Sequence, residues 1–422
     1  MTATQTAVDL NQGSNLALVD AALRARADKV IPGGMYGHLN ARILPAGYPQ
    51  FFARADGCRL WDVDGREYLD FMCSWGPIIA GHKHPVIDEA ARKQAEQGDC
   101  MNGPTARLVE LSERLVGMLP HADWAMFQKN GSDATTAALM IARAGTGKRK
   151  ILLAKGAYHG AVPWCTPSVA GVTAEDRAHL IYFKFNDIES LEAAAREAGD
   201  DLAAVLVSAF RHDLGVPQEL PHPDFARAAR ALCDRQGAAL VIDEVRAGMR
   251  LSLQGSWEPL GVRPDICAWS KAIANGHSLA AVTGNDAFRK AAQQIYITGS
   301  FWMGGVAMAA AIATLDVLEN SGAIQHFEKM GQRLRDGLQR QADKHGVKIS
   351  QTGPVQLPLV LFEDDADYSR GARFTAEALK HGVYLHHRHN MFLSLAHTAQ
   401  DIDHALQVTD HAFAMVADVA AH

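Results

Sequence analysis

The sequence predicts an α/β protein with a mostly parallel sheet in a large domain and a second, smaller α+β domain. From about residue 104 onward, short aliphatic or β-branched runs alternate with amphipathic helical stretches. This alternation is typical of a parallel sheet that is covered by helices on both faces. The chain has 422 residues, more than one hydrophobic core usually supports, so about two domains are expected.

The N-terminal elements follow from local patterns. Residues 15–31 alternate polar and apolar side chains at helical spacing and end at the breaker Pro32-Gly33-Gly34, which predicts a helix. The runs 58–63 and 67–71 flank Asp64-Gly65, and this arrangement predicts a hairpin. We expect the hairpin to join the smaller domain.

The remaining elements alternate along the chain. Helices are predicted between the strands, for example at 133–143 and 224–235, and over a long region at 306–344. The tail combines two helices with strands predicted at 357–362, 383–385 and 391–395. The main-sheet strands are predicted at 124–127, 150–153, 180–183, 203–207, 239–242, 266–269 and 281–283. This order divides the chain into an N-terminal segment that contributes to the small domain (1–85), a large domain (86–320) and a C-terminal small domain (321–422).

Composition narrows the classes of function. The formal net charge of −6 argues against nucleic acid as the main partner and against a basic membrane-binding face. No run approaches eighteen consecutive apolar residues, so no membrane span is expected. Residues 1–14 are polar and show no secretory signal. The six cysteines are scattered without a CxxC pair, as in reduced thiols, so a cytoplasmic location is predicted.

Two residues carry the candidate chemistry. The run 239–242 ends at Asp243, and the run 266–269 ends just before Ser270 and Lys271. Because α/β folds place ligands at the carboxyl edge of the sheet, these two side chains can face one crevice. Pyridoxal 5'-phosphate (PLP) chemistry needs such a pair: an amine that holds the cofactor and moves a proton, and a carboxylate beside the pyridine nitrogen. Taken singly, such an Asp is more often a turn or helix-cap residue, and such a Lys a solvated one.

A wider set of motifs strengthens this interpretation. They are IPGG at 31–34, LWDVDG at 60–65, SWGP at 74–77, IDEVRAGMR at 242–250, GVRPD at 261–265 and SK at 270–271. The chain thereby resembles the class III PLP-dependent aminotransferases, and its N-terminal part resembles the glutamate-1-semialdehyde aminomutases. The resemblance runs from about residue 31 to the tail at 394–398. It implies the PLP-dependent transferase fold of type I, with PLP in the large domain.

The resemblance also implies roles for single residues. Lys271 would hold PLP covalently, Asp243 would face the pyridine nitrogen, and Tyr158 and Val245 would pack on opposite faces of the ring. Ser300 takes the place of the family's threonine in a loop that reaches the phosphate of the neighbouring subunit's cofactor. The resemblance therefore implies a homodimer with shared active sites.

The phosphate of PLP has a candidate loop in the sequence. Gly131 and Ser132 match the family's loop at the start of a helix, where backbone N–H groups bind anions. Lys129 and Asn130 depart from the family's residues, which leaves their roles in doubt. An ordinary serine cap at the start of a helix is the alternative for this loop taken alone.

Two departures from the aminomutase pattern bear on the substrate. The segment His386-His387-Arg388-His389 stands where aminomutases carry a glutamate that helps to hold a diamino substrate, and the segment after Tyr158 is shorter than their lid. A shorter lid leaves a more open entrance. We therefore expect intermolecular transfer of an amino group from a primary amine, bulky or long-chain, to a keto acid such as pyruvate.

Arg388 is the candidate for binding the keto acid's carboxylate, because a guanidinium meets a carboxylate with two hydrogen bonds. Trp75 is expected to offer apolar surface to the substrate. The histidines beside Arg388 have no carboxylate or cysteine nearby, so no metal site is predicted. A glutamate-1-semialdehyde-type aminomutase, a PLP-dependent racemase or epimerase, and a non-catalytic PLP-fold protein remain the alternatives.

Overall fold

The computed structural model of the protein describes residues 18–45 and 47–417. Segment 1–14, for which no secretory signal is predicted, lies outside these two stretches. The predicted N-terminal helix is present as α1 (Leu18–Val30), and three strands follow it: β1 (Phe52–Asp56), β2 (Arg59–Asp62) and β3 (Glu67–Asp70). The predicted hairpin is the antiparallel pair β2 and β3. None of the helices in the described stretches is both long and apolar enough to cross a membrane.

The large domain is built from seven strands and their connecting helices. In chain order the elements are α2 (Pro85–Gln97), α3 (Arg107–Met118), β4 (Trp124–Gln128), α4 (Gly131–Thr146), β5 (Lys150–Ala154), β6 (Leu180–Phe183), α5 (Ile188–Ala198), β7 (Leu202–Ser208), α6 (Pro223–Gln236), β8 (Ala239–Asp243), β9 (Ile266–Trp269), β10 (Ala280–Gly284), α7 (Arg289–Gln294) and α8 (Gly305–Asn320). The strands lie side by side in the order β4-β10-β9-β8-β7-β5-β6. All neighbours are parallel except β10, which runs antiparallel to β4 and β9. The predicted, mostly parallel sheet is therefore confirmed.

Burial on both faces explains why these strands are continuous apolar runs rather than alternating ones. Every residue of β7, β8, β9 and β10 is buried. Ala138 and Ile141 of α4 share an apolar cluster with Val241 of β8 on one face of the sheet. On the other face, Phe225 of α6 shares a cluster with Leu240. The carboxyl ends of the parallel strands are thus held between two layers of helices.

The smaller domain joins the two ends of the chain. Its C-terminal elements are α9 (Ala323–Lys344), β11 (Ile349–Ser350), β12 (Leu361–Phe362), α10 (Ser369–Lys380), β13 (Val383–Tyr384) and α11 (Ala399–Ala417). Strand β13 pairs in parallel with β3, with Val383 opposite Leu69, and completes the sheet β1-β2-β3-β13. The hairpin therefore shares a sheet with the C-terminal tail, as expected. The domain boundaries at residues 85 and 320 stay predictions.

The long helical region predicted at 306–344 is present as two helices, with a break at Ser321 and Gly322, where Gly322 has a φ of +63°. Two sequence predictions are wrong in detail. Segment 391–395 forms no strand; its backbone instead makes separate hydrogen bonds, such as Phe392 N–H to the carbonyl of Phe71 at 2.8 Å. The strand predicted at 357–362 contains only the two residues of β12.

Candidate active site

The carboxyl edge of the sheet holds a cavity of about 330 Å³. Asp243 is the last residue of β8, and Lys271 follows β9 after one intervening serine. Because β8 and β9 are parallel neighbours, the two side chains leave the sheet at the same edge, and both line the cavity. The structure thus brings together the two residues that the sequence singles out.

Lys271 stands in an unusual backbone and electrostatic setting. It begins a short 3-10 turn with a φ of +49°, a conformation that non-glycine residues seldom adopt. Burial lowers the pKa of Lys271 to about 7, and the positive charge of Arg246 acts in the same direction. A large fraction of the amine is therefore unprotonated near neutral pH and can act as a nucleophile.

Asp243 is buried and held by hydrogen bonds to both of its oxygens. Its Oδ2 lies 2.7 Å from Nδ1 of His159, and its Oδ1 accepts a hydrogen bond from the Val245 N–H at 2.9 Å. Nε2 of His159 is buried and has no hydrogen-bond partner in the described part of the chain. The carboxylate is consequently fixed in orientation at the cavity wall.

The start of α4 supplies an anion-binding feature beside these residues. Asn130 and Asp133 form a capping box, in which each side chain accepts from the other's backbone N–H. Asn130, whose role the sequence leaves in doubt, is therefore the helix cap. Gly131 and Ser132 line the cavity, and the first N–H groups of a helix have no partner within the helix.

The loop after Tyr158 packs tightly on this helix start. Oγ of Ser132 accepts a hydrogen bond from the Ala161 N–H at 3.1 Å, so its own hydroxyl proton can still be donated to a ligand. Gly160 has a φ of +131°, and a Cβ at that position would stand 2.9 Å from the Cβ of Ser132. Glycine at 160 therefore allows the loop to approach the candidate phosphate site.

Two more predicted residues lie at the cavity. Tyr158 and Val245 both contribute to its lining. Tyr158 is 43% exposed in the single chain, and burial raises its phenolic pKa. A Cβ on Gly131 would come within 2.7 Å of Val245, so the glycine lets the helix start lie against this valine.

Three predicted site residues do not line the cavity. Ser300 is exposed in a turn before α8. The Trp75 ring packs edge-on against the rings of His38 and His389, with centroids 4.8 and 4.9 Å away. The Arg388 guanidinium lies 5.5 Å from the centre of the Tyr368 ring. The roles proposed for these three residues stay predictions.

Two lining residues were missed by the sequence interpretation. Arg246 donates a hydrogen bond from Nη1 to Oδ1 of Asn390, and burial lowers its pKa to about 10. The side chain of His212 is buried, and its Nδ1 has no hydrogen-bond partner within the described residues. Arg246 occupies a variable position of the recognised motif and gave no signal. His212 follows the end of β7 by four residues and was open to the same strand-end argument that identified Asp243.

These residues fit PLP. An amine, a fixed carboxylate and a helix start with free N–H groups surround one cavity, and they match the aldehyde, the pyridine nitrogen and the phosphate of that cofactor. The match rests on two side chains and the backbone N–H groups of a helix start, which follow three separate strands.

Comparison with known proteins agrees with this geometry. The family model for aminotransferase class III matches residues 44–413. Aminopentol aminotransferase of Sphingopyxis macrogoltabida is 49% identical over 394 residues, which cover 93% of each chain. A glutamate-1-semialdehyde 2,1-aminomutase of Desulfitobacterium hafniense is 33% identical and covers 91% of this chain and 95% of its own.

A solved structure supports the same assignment. The FumI protein of Sphingopyxis sp. MTA144, determined with PLP, superposes with a TM-score of 0.94 at 48% identity, covering 95% of this chain and 97% of its own. In its length and in its departures from the aminomutase pattern, the chain also resembles a bacterial aminotransferase of hydrolysed fumonisin. Its similarity to aminopentol aminotransferase confirms that resemblance. The chain belongs to the class III aminotransferases and is a PLP-dependent enzyme.

Proposed function

We propose that this enzyme transfers the amino group of a bulky or long-chain primary amine to a keto acid such as pyruvate. One observation carries the choice over an aminomutase. Asp243 is the only carboxylate among the described residues that line the cavity, and it is engaged by His159. No acidic group there is free to hold the second amino group of a small diamino substrate. The similarity to an enzyme named for aminopentol supports the bulky amine.

The proposed roles follow from what each side chain can do. PLP, when bound, supplies the electron sink that stabilises charge on the carbon from which a proton leaves. Lys271, with its lowered pKa, accepts and returns protons near neutral pH. Asp243 places a negative charge that His159 keeps in orientation. The N–H groups of Gly131 and Ser132 and the Ser132 hydroxyl bind the phosphate.

We further propose a cytoplasmic homodimer with shared sites. Ser300 stands away from the cavity of its own chain, and the large aromatic residues Tyr296 and Phe301 near it are 87% and 68% exposed. Exposed aromatic side chains are typical of protein interfaces. All six cysteines are free thiols, in keeping with a reducing compartment.

The substrate proposal is tested with a series of unbranched primary amines and pyruvate, following the alanine that forms. Burial of each added methylene contributes about 0.8 kcal/mol of binding free energy. The kcat/KM should therefore rise by about fourfold per methylene over the first few members of the series. Preference for short amino acids over long amines would contradict the proposal.

Assays of the same purified enzyme distinguish the proposed aminotransferase from the alternative functions. Conversion of glutamate-1-semialdehyde without any added acceptor would indicate an aminomutase. Inversion of a single enantiomer without pyruvate would indicate a racemase or epimerase.

A further inference from the structure

The cavity contains a cation without a carboxylate partner. Arg246 lines it, and in the described part of the chain its guanidinium forms no ion pair with an acidic side chain. The acidic residues that raise its pKa, Asp243 and Asp213, are themselves engaged by His159 and Arg211. Burial of an unneutralised charge is unfavourable, and here it lowers the pKa of Arg246 to about 10. An anion that enters the cavity relieves this cost.

The partner of Arg246 holds the guanidinium without neutralising it. Oδ1 of Asn390 accepts from Arg246, while Nδ2 of the same amide donates to the carbonyl of Met391 at 2.9 Å. Asn390 is buried, and the second bond fixes which end of its amide faces the arginine. A guanidinium carries five N–H donors, so this single bond leaves donors for a ligand.

The two other arginines nearby do not line the cavity. Arg250 is fully buried and donates to the carbonyls of Gly76, Ile78 and Leu393, at 2.7, 3.1 and 2.5 Å. Arg388 lies against the Tyr368 ring and does not line the cavity. Among the described residues that line the cavity, Arg246 thus supplies the guanidinium that an incoming carboxylate can contact.

We propose that Arg246, oriented by Asn390, binds the carboxylate of the keto-acid acceptor. This inference rests on the proposed aminotransferase function and assigns its acceptor site. A long-chain amine brings no carboxylate, so Arg246 distinguishes the two substrates that use the cavity in turn. A guanidinium and a carboxylate form two parallel hydrogen bonds, which orient the carbonyl carbon as well as adding affinity.

The test separates the two half-reactions: a long amine is mixed with the PLP-loaded enzyme, and each acceptor is mixed with enzyme that carries pyridoxamine 5'-phosphate, the aminated cofactor that supplies the amino group. Pyruvate is compared with propanal, an acceptor of similar size without a carboxylate, by single-turnover absorbance. Arg246→Gln should lower the second-order rate constant with pyruvate by about 100-fold, the usual size for losing one partner of a buried charge pair, and that with propanal by less than about fivefold. The half-reaction with a long amine measures any effect of losing Arg246 on the pKa of Lys271, an effect that pyruvate and propanal share and that their ratio therefore removes. Arg227→Gln, a surface change on α6, is the matched control.

Two variants test the geometry rather than the charge alone. Arg246→Lys keeps the charge and loses the two-point contact, so it should recover only part of the pyruvate rate. Asn390→Asp places a carboxylate against Arg246 and should compete with the acceptor, raising the KM for pyruvate while sparing propanal. Propionate, which cannot react, supplies a binding measurement: its dissociation constant from the loaded enzyme should rise about 100-fold in Arg246→Gln.

The outcomes are distinguishable. Wild-type enzyme that uses no keto acid would overturn the proposed function. Wild-type enzyme that uses pyruvate, together with an Arg246→Gln variant that keeps the wild-type preference for pyruvate over propanal, would overturn only the assignment of Arg246. A loss of that preference in Arg388→Gln and not in Arg246→Gln would move the acceptor site to Arg388.

Discussion

Burial gives Lys271 a reactivity that can be measured through its pH dependence. A lysine in water has a pKa near 10.5, so about 3 in 10,000 amines are unprotonated at pH 7. Burial lowers the pKa of Lys271 to about 7, with Arg246 as the next contributor. About half of the amines are then unprotonated at pH 7, which is more than a thousandfold gain in nucleophile.

Cofactor capture reports this fraction directly. Cofactor-free protein is mixed with PLP between pH 6 and 9.5, and the borohydride-reducible adduct is followed over time. We expect the rate to rise about tenfold per pH unit below pH 7 and to level off near pH 8, because the neutral amine is the reacting form. Lys271→Ala should form no such adduct and should show no turnover. Lys93→Ala, on the exposed surface of α2, is the control.

The reasoning about burial is refuted if the capture rate still rises tenfold per pH unit between pH 8 and 9.5. That result would mean that Lys271 titrates like a lysine in water. The assignment of Lys271 itself is refuted if the alanine variant still forms the adduct at the wild-type rate.

Three further changes have defined outcomes. Asp243→Asn should leave PLP bound, which absorbance after dialysis measures. It should lower turnover by about a hundredfold or more, because a neutral amide no longer favours the protonated pyridine. Near-normal turnover would disprove the role of Asp243. Burial raises the pKa of Glu244 to about 7, so the stability that its neutral carboxyl contributes is lost as pH rises from about 4.5 to 7. Glu244→Gln should therefore stabilise the protein at pH 8 by up to about 3 kcal/mol and have little effect at pH 5, and equal melting-temperature shifts at both pH values would contradict this. Gly160→Ala should weaken PLP binding, because the added Cβ would press on Ser132. Gly171→Ala is the control and should not weaken it, because nothing lies within 4 Å of a Cβ at that position. Equal affinity for PLP in both variants would exclude the packing argument.

The main sheet could be predicted because its strands are buried on both faces. Burial of that kind produces uninterrupted apolar runs, and each predicted strand agrees with the structure to within a residue at either end. Strand β1 was missed because its side chains are mostly exposed and carry no apolar pattern. The tail strand predicted at 383–385 is present as β13, whereas 391–395 was misjudged because its backbone bonds to distant partners such as the carbonyls of Phe71 and Ile79. The residues of such a segment do not indicate which distant backbone groups it will bond to.

The same distinction separates the site residues that were found from those that were missed. Asp243 and Lys271 follow apolar strands, and position alone marks them. Arg246 matters because of a contact across 144 positions of the chain, to Asn390 in the smaller domain. Such contacts depend on how two domains meet, which residue types do not specify. Only the fold shows that the Arg388 guanidinium lies against the Tyr368 ring, and the role expected of Arg388 stays a prediction.

The proposed sharing of active sites between two subunits can be tested in a way that activity in a single variant cannot provide. Ser300→Asp would place a negative charge where the neighbouring subunit's cofactor phosphate is proposed to lie, and it should inactivate the enzyme, as should Lys271→Ala. If each site combines Lys271 of one chain with Ser300 of the other, a mixed dimer of the two variants contains one intact site and one doubly altered site. Random reassortment of equal amounts gives mixed dimers in half of the population, so about a quarter of the wild-type activity should return. No recovery after exchange of subunits, verified by mass, would show that Ser300 acts within its own chain or not at all.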